Sequence, residues 1–292
     1  MHRTMATGLA LASLVTVAAG GALAGASPSG GAPLSTVTFT EAERRETLTY
    51  WTADRMRDVT GGTALGHDAA SVKPWRGPAL TTVGRLFFTN EKGQDSYCTA
   101  TAVRSHNRST VMTAGHCVQL PASPDNHYSN MVFVPGYNEG KHPHGTFAVR
   151  AVVMPRSWQD DAKNDIAAVV TDQQDGTSLT DAVGGQTLAV DRKPGATVTV
   201  LGYPDSREQR GEKLMYCTGT TTAAPDGKQT VRCPMEGGSS GGPWLADLDT
   251  KAGRGKLVSV NSFGDAAQDG SVMNGEVLGA TAGELHAHAE QL

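Results

Sequence analysis

Long helical patterns are scarce in this chain of 292 residues, and charge is scarce too, with 18% Asp, Glu, Lys and Arg. The first scarcity argues against a fold of strands alternating with helices. No basic stripe is present, and 25 Lys and Arg stand against 29 Asp and Glu, for a formal net charge of −4. A nucleic-acid partner is therefore not expected. After residue 26 no run is long and apolar enough to span a bilayer. Cysteine is limited to Cys98, Cys117, Cys217 and Cys233, with no C-x-x-C among them. His116 and Cys117 are adjacent, which is poor geometry for two ligands on one ion. Neither a metal nor a cofactor is expected.

Residues 1–26 read as a signal peptide. His2 and Arg3 make a short basic start, Leu9 to Ala24 is apolar and small, and Ala24-Gly25-Ala26 has the small-x-small pattern of a cleavage site. The stretch is too short and too rich in Ala and Gly for an anchor, and no basic stop-transfer run follows. The chain is thus expected to be secreted and extracellular, with no membrane association after cleavage. Loss of Arg3 moves the formal charge from −4 to −5. In an exported chain four cysteines imply two disulfides. Three pairings are possible, and the order favours Cys98–Cys117 and Cys217–Cys233, each bracketing a hairpin.

Residues 27–38 are rich in Ser, Gly, Pro and Thr and are expected to be disordered. Glu41 to Asp58 has a helical pattern, with Thr40 and Glu43 as a capping box and Leu48, Trp51 and Met56 on an apolar face. Residues 27–78 read as a propeptide or N-terminal arm. From residue 80 short strands follow in quick succession, in two sets of six. The first set is Val83–Phe88, Tyr97–Arg104, Thr110–Ala114, Met131–Pro135, Thr146–Met154 and Ile166–Val170. The second is Thr197–Gly202, Tyr216–Thr222, Gln229–Cys233, Pro243–Ala246, Lys256–Asn261 and Glu276–Ala280. A mostly polar link, Thr171 to Gln186, joins them, and Ala282 to Leu292 has the spacing of a closing helix. The expected fold is all-β: two six-stranded antiparallel barrels, about residues 79–180 and 186–281, with a short C-terminal helix over 282–292.

Three short blocks carry chemistry. Gly238-Ser239-Ser240-Gly241-Gly242 can form a tight turn that exposes a hydroxyl and points backbone N–H groups into one space. A Gly/Ser run is more often a flexible loop, so the company it keeps decides. His116 lies beside a half-cystine at a strand end, where an imidazole is well held and can act as general base. Asp165 stands directly before an apolar strand, where a partly buried carboxylate needs a donor such as a His N–H.

Thr113-Ala114-Gly115-His116-Cys117, then Asp165-Ile166-Ala167, then Gly238-Ser239-Ser240-Gly241-Gly242-Pro243 resemble, in that order, the motif blocks of chymotrypsin-like serine peptidases. Val200-Leu201-Gly202-Tyr203-Pro204 and Gly237 to Trp244 are similar to the bacterial secreted, glutamyl-endopeptidase-like branch. The resemblance implies a serine endopeptidase with Ser240 as nucleophile, His116 as general base, Asp165 orienting it, and the N–H groups of Gly238 and Ser240 as oxyanion hole. It also implies that Asn261, Ser262, Phe263 and Gly264 line the substrate site, with Ser262 to Gly264 pairing with substrate backbone. Protein or peptide substrates and a monomer are expected. One departure is Ser239, which stands where many animal members have an Asp that pairs with a new N-terminus. Activation through that ion pair is not expected, and a propeptide would act otherwise, for instance by covering the cleft. No His stands in 261–264 to favour Glu, and no Asp stands shortly before Ser240 to attract Arg or Lys, so the cleavage preference stays open. Glu236 is a possible cation partner there, and a solvated loop acid is the plainer reading. The alternative function is a catalytically silent binding protein on the same fold.

Overall fold

The computed structural model describes residues 31–59, 71–78, 80–123, 126–205, 210–235, 237–264 and 271–292. The expected signal peptide lies outside the described residues, as do Glu236 and residues 265–270.

The chain begins with strand β1 (Leu34–Thr38), helix α1 (Glu41–Tyr50) and helix α2 (Ala53–Asp58). Strand β1 corrects the expectation of disorder for residues 34–38: every residue of it pairs antiparallel with Ala151 to Pro155, while residues 27–30 lie outside the described residues. The Thr40–Glu43 capping box forms as expected. The single helix over 41–58 does not form, because Thr52 is extended and its side chain caps a new helix at the Arg55 N–H. Trp51 and Met56 would lie about 140° apart on a continuous helix. The break lets both reach the core, at 4% and 1% exposure, and leaves Leu48 outside.

After β2 (Lys73–Pro74) comes the first barrel: β3 (Val83–Thr89), β4 (Asp95–Ala102), β5 (Thr110–Thr113), β6 (Ser129–Pro135), β7 (Phe147–Pro155) and β8 (Ala167–Thr171). Its sheet runs β1-β7-β6-β3-β4-β5-β8, and pairing of β7 with β8 closes it. Alternation sorts the side chains. Leu86, Phe88, Ala100, Phe133 and Val169 fill the interior. Phe147 and Val149 face inward, and so do Val152 and Met154. The switch of parity falls where the β7–β8 register shifts between Val149 and Ala151. One extra residue in a strand reverses its alternation.

Helix α3 (Arg156–Asp161) lies between β7 and β8, and α4 (Leu179–Val183) lies in the link between the two sheets. The second sheet comprises β9 (Thr187–Leu188), β10 (Thr197–Gly202), β11 (Met215–Thr220), β12 (Thr222–Ala223), β13 (Lys228–Arg232), β14 (Pro243–Asp249), β15 (Arg254–Gly264) and β16 (Val272–Glu276). Its order is β12-β13-β16-β15-β14-β10-β11-β2, with β9 on β15. It curls into a half-barrel around Val198, Val200, Val231, Trp244 and Val258. Among the described residues no ladder joins β11 to β13. Instead a disulfide ties Cys217 of β11 to Cys233, just after β13, with Cα atoms 5.9 Å apart. The expected pairing of all four cysteines is observed.

The last strand lies four residues earlier than the expected Glu276–Ala280. At Gly275 a Cβ would stand 2.6 Å from the Val260 carbonyl, so the sheet closes over a position with no side chain. Helix α5 (Ala280–Ala289) then returns to the core through Ala282, Leu285 and Ala289. These three join Val83, Phe87 and Tyr97 of the first barrel, Leu201, Leu245 and Val260 of the second sheet, and Trp51, Met56 and Val59 of the N-terminal arm. Fully burying an apolar side chain of Val or Leu size contributes about 1.5–3 kcal/mol. This shared cluster therefore fixes the two sheets against each other and with them the cleft between.

Candidate active site

His116 sits in a 3-10 turn, Gly115–Cys117, directly after β5. Cys117 is bonded to Cys98 of β4. The sulfurs of these two cysteines are thereby committed, and no thiolate remains beside His116 to ligate an ion. Trp158 of α3 packs on the turn, its ring centre 6.4 Å from that of His116. Trp158 was not singled out from sequence, where an aromatic in a short helix carries no signal.

Asp165 follows Asn164, whose φ of +56° bends the chain into β8. Asp165 is 4% exposed. Its Oδ2 lies 2.8 Å from His116 Nδ1, and its Oδ1 accepts the His116 backbone N–H at 2.9 Å. The Ser262 hydroxyl donates a further bond to Oδ2. Burial pushes the carboxyl up, but the His116 charge and the bonds from His116 and Ser262 outweigh it and hold Asp165 below its ordinary range. Burial likewise pushes the imidazole down, and the charge and bond of Asp165 more than offset this, leaving His116 above its ordinary value.

The turn around Ser240 is held from both barrels. Gly238 and Gly241 have φ of +84° and +75°. A Cβ on Gly238 would stand 2.4 Å from Tyr97 Oη, and one on Gly241 would stand 2.0 Å from Thr113 Oγ1. Thr99 of β4 braces the turn twice: its hydroxyl donates to the Gly238 carbonyl at 2.8 Å, and its N–H donates to the Ser240 carbonyl at 2.8 Å. The Thr99 hydroxyl in turn accepts the Tyr203 N–H at 3.0 Å. With the carbonyls taken, the N–H groups of Gly238 and Ser240 and the Ser240 hydroxyl make no hydrogen bond among the described residues. Ser239 is 1% exposed and Ser240 only partly buried, so of the two serines Ser240 is the one that reaches solvent.

The strand expected to line the substrate site divides by role. Asn261 is fully buried and its amide is spent on structure: it donates to Ser239 and Leu201 carbonyls and accepts from Trp244 Nε1. Ser262 is turned to Asp165. Phe263 is 49% exposed, with Lys228 Nζ 5.0 Å from its ring centre, and Gly264 is exposed. Behind the turn, Arg85 lies fully buried, 3.4 Å from the centre of the Tyr97 ring. It pairs with Glu212 at 3.0 Å and donates to the Val59 carbonyl. A buried cation needs such partners. A lone Arg in a strand gives no hint of this in the sequence.

A family model for the trypsin-like peptidase domain matches residues 98–253, which include His116, Asp165 and Ser240. The chain belongs to the trypsin-like peptidases. Among solved structures of this family, protease Anisep from Arthrobacter nicotinovorans is 30% identical, with a TM-score of 0.68, covering 76% of this chain and 100% of its own. The thermostable serine protease AL20 from an extremophilic microorganism is 33% identical, with a TM-score of 0.67, covering 73% of this chain and 99% of its own. A Glu endopeptidase at 19% identity and a TM-score of 0.63 shares the fold. A comparison with curated proteins gives no significant match. The chain is thus a serine peptidase of the chymotrypsin-like fold.

Proposed function

We propose that this trypsin-like peptidase is a secreted endopeptidase that cleaves through an acyl-enzyme on Ser240. The observation that carries the reading is the double hold of Asp165 on His116, at the ring Nδ1 and at the backbone N–H. It fixes the ring and its tautomer, leaving Nε2 as the base. Ser240 Oγ attacks the scissile carbonyl while His116 Nε2 takes its proton. The carbonyl oxygen, now an oxyanion, accepts from the N–H groups of Gly238 and Ser240. His116 returns the proton to the leaving amine, and the C–N bond breaks. A water then gives a proton to His116 and attacks the ester carbonyl; the C–O bond to Ser240 breaks, His116 returns the proton to Ser240 Oγ, and the acid is released. Phe263 and Gly264, both exposed, would pair with substrate backbone, whereas Asn261 serves to hold the turn. The names of Anisep and AL20, both proteases, support the same activity here.

Export rests on the sequence of residues 1–26, and the two disulfides suit an oxidising compartment. Among the described residues no helix is long and apolar enough to cross a membrane. We read residues 27–78 as a pro-segment or arm whose described part pairs with the first barrel through β1 and with the second sheet through β2. Its described hydrogen bonds go to residues such as Asp95, Asn130 and Asp172, and none goes to His116, Asp165 or Ser240.

A fluorophosphonate is expected to label Ser240, with Ser240→Ala abolishing both labelling and casein hydrolysis. Mass spectrometry of the labelled peptide checks this. A folded wild-type chain that neither takes the label nor cleaves casein would favour the silent binding protein instead.

A further inference from the structure

Glu276 ends β16 in the second sheet and is 4% exposed, yet no step of the reaction above uses it. Its Oε1 accepts the backbone N–H of Asp165 at 3.2 Å. That N–H lies ahead of β8, which starts at Ala167, and so has no ladder partner of its own. The bond therefore crosses from the second sheet to the first barrel at the one residue whose carboxylate orients His116. The neighbouring strand β15 meets the same residue through Ser262, which reaches the Asp165 carboxylate.

We infer that Glu276 is a positioning residue for the Asp165–His116 pair, holding the Asp165 backbone from the second sheet; this rests on the peptidase reading above. Two strands of the second sheet divide the task. Ser262 fixes the carboxylate and Glu276 fixes the main chain behind it. Glu276 is itself anchored, since the Ser259 hydroxyl donates to its carbonyl at 2.7 Å. The charged groups around it are Asp165, two residues ahead of β8, and Lys228, its register partner on β13. Burial, with the Asp165 charge in the same sense, raises the Glu276 carboxyl above its ordinary range, while the Asp165 N–H and Lys228 oppose this. The Asp165 N–H needs only an acceptor oxygen at the right reach, which a carboxylate, a carboxylic acid or an amide can each supply. Without one, the bend at Asn164 is free to relax, and a shift of the catalytic geometry well under the length of a bond is enough to slow turnover.

The test is steady-state hydrolysis of a chromogenic peptide by the full chain, with active sites counted by fluorophosphonate and folding checked by circular dichroism. Glu276→Leu is expected to lower kcat about tenfold or more with KM within about twofold. Glu276→Gln, which keeps the acceptor, is expected to restore kcat to within about threefold of wild type. Wild-type kcat in the Leu variant, or a Gln variant as slow as the Leu variant, overturns the inference. If Glu276→Leu does not fold, Glu276→Asp decides. Its carboxylate is one methylene short of the Asp165 N–H, so a slow Asp variant supports the inference and a fully active one overturns it. A wild type that neither cleaves peptide nor takes the label overturns the peptidase reading and this inference together. An active wild type with an equally active Leu variant overturns this inference alone.

Discussion

Three hydrogen bonds join Thr99 to the second half of the chain: to the Gly238 carbonyl, to the Ser240 carbonyl, and from the Tyr203 N–H. Family members with an Asp before the nucleophile can fix this turn from a new N-terminus. Here that position is the buried Ser239, whose hydroxyl has no partner among the described residues. The brace comes instead from a side chain of the first barrel. Thr99→Val keeps the shape and removes the hydroxyl, leaving the Gly238 carbonyl and the Tyr203 N–H short of a partner. The expected cost is about 1–3 kcal/mol of stability, with a fall in kcat as the oxyanion donors lose their aim. Thr99→Ser should restore both. Urea unfolding and kinetics on a chromogenic peptide check this. In the sequence Thr99 is one small polar residue after a half-cystine. The block motifs made His116, Asp165 and Ser240 candidates from the sequence, but a residue that serves the site only through the backbone of another chain segment leaves no motif.

At the level of elements, short apolar runs set off by turn residues made most strands legible. Strands β3, β5, β6 and β10 stand within a residue or two of their expected limits, because each is a short, mostly buried run rich in apolar and β-branched residues with turn residues beyond it. Limits were lost where another force overrides the pattern. Trp51 and Met56 split one helix into two to reach a common core. Strand β1 forms from a polar, Thr-rich stretch because β7 offers it an open edge. The arm is held by that ladder and by Trp51, which packs 5.1 Å from the Phe87 ring and donates to the Asn130 carbonyl. Trp51→Ala is expected to cost about 3 kcal/mol or more of the stability of the unprocessed chain. It should also speed cleavage of the arm by an added protease while leaving fluorophosphonate labelling of Ser240 intact. Limited proteolysis read beside urea unfolding checks both.

Over the whole molecule, a closed barrel and a curled half-barrel share one apolar cluster, and the cleft follows from how they lie. The half-barrel is open between β11 and β13, where the Cys217–Cys233 disulfide takes the place of a ladder. Its sequence separation of 16 residues sets a loop-closure contribution of about 3 kcal/mol. Replacing both cysteines by Ser is expected to lower stability by about that much, and calorimetry of the double variant checks it.

The sequence by itself determined the even number of cysteines, the strand-rich class, and the order of the His, Asp and Ser blocks. Each of these is written in local spacing and residue type. Only the tertiary structure decided which side chains brace those blocks. Thr99 meets Gly238 across 139 residues, Glu276 meets Asp165 across 111, and Ser262 meets Asp165 across 97. Periodicity reports which face of its own strand a residue occupies. What stands opposite that face depends on how two sheets pack, and that is set by the shared core as a whole.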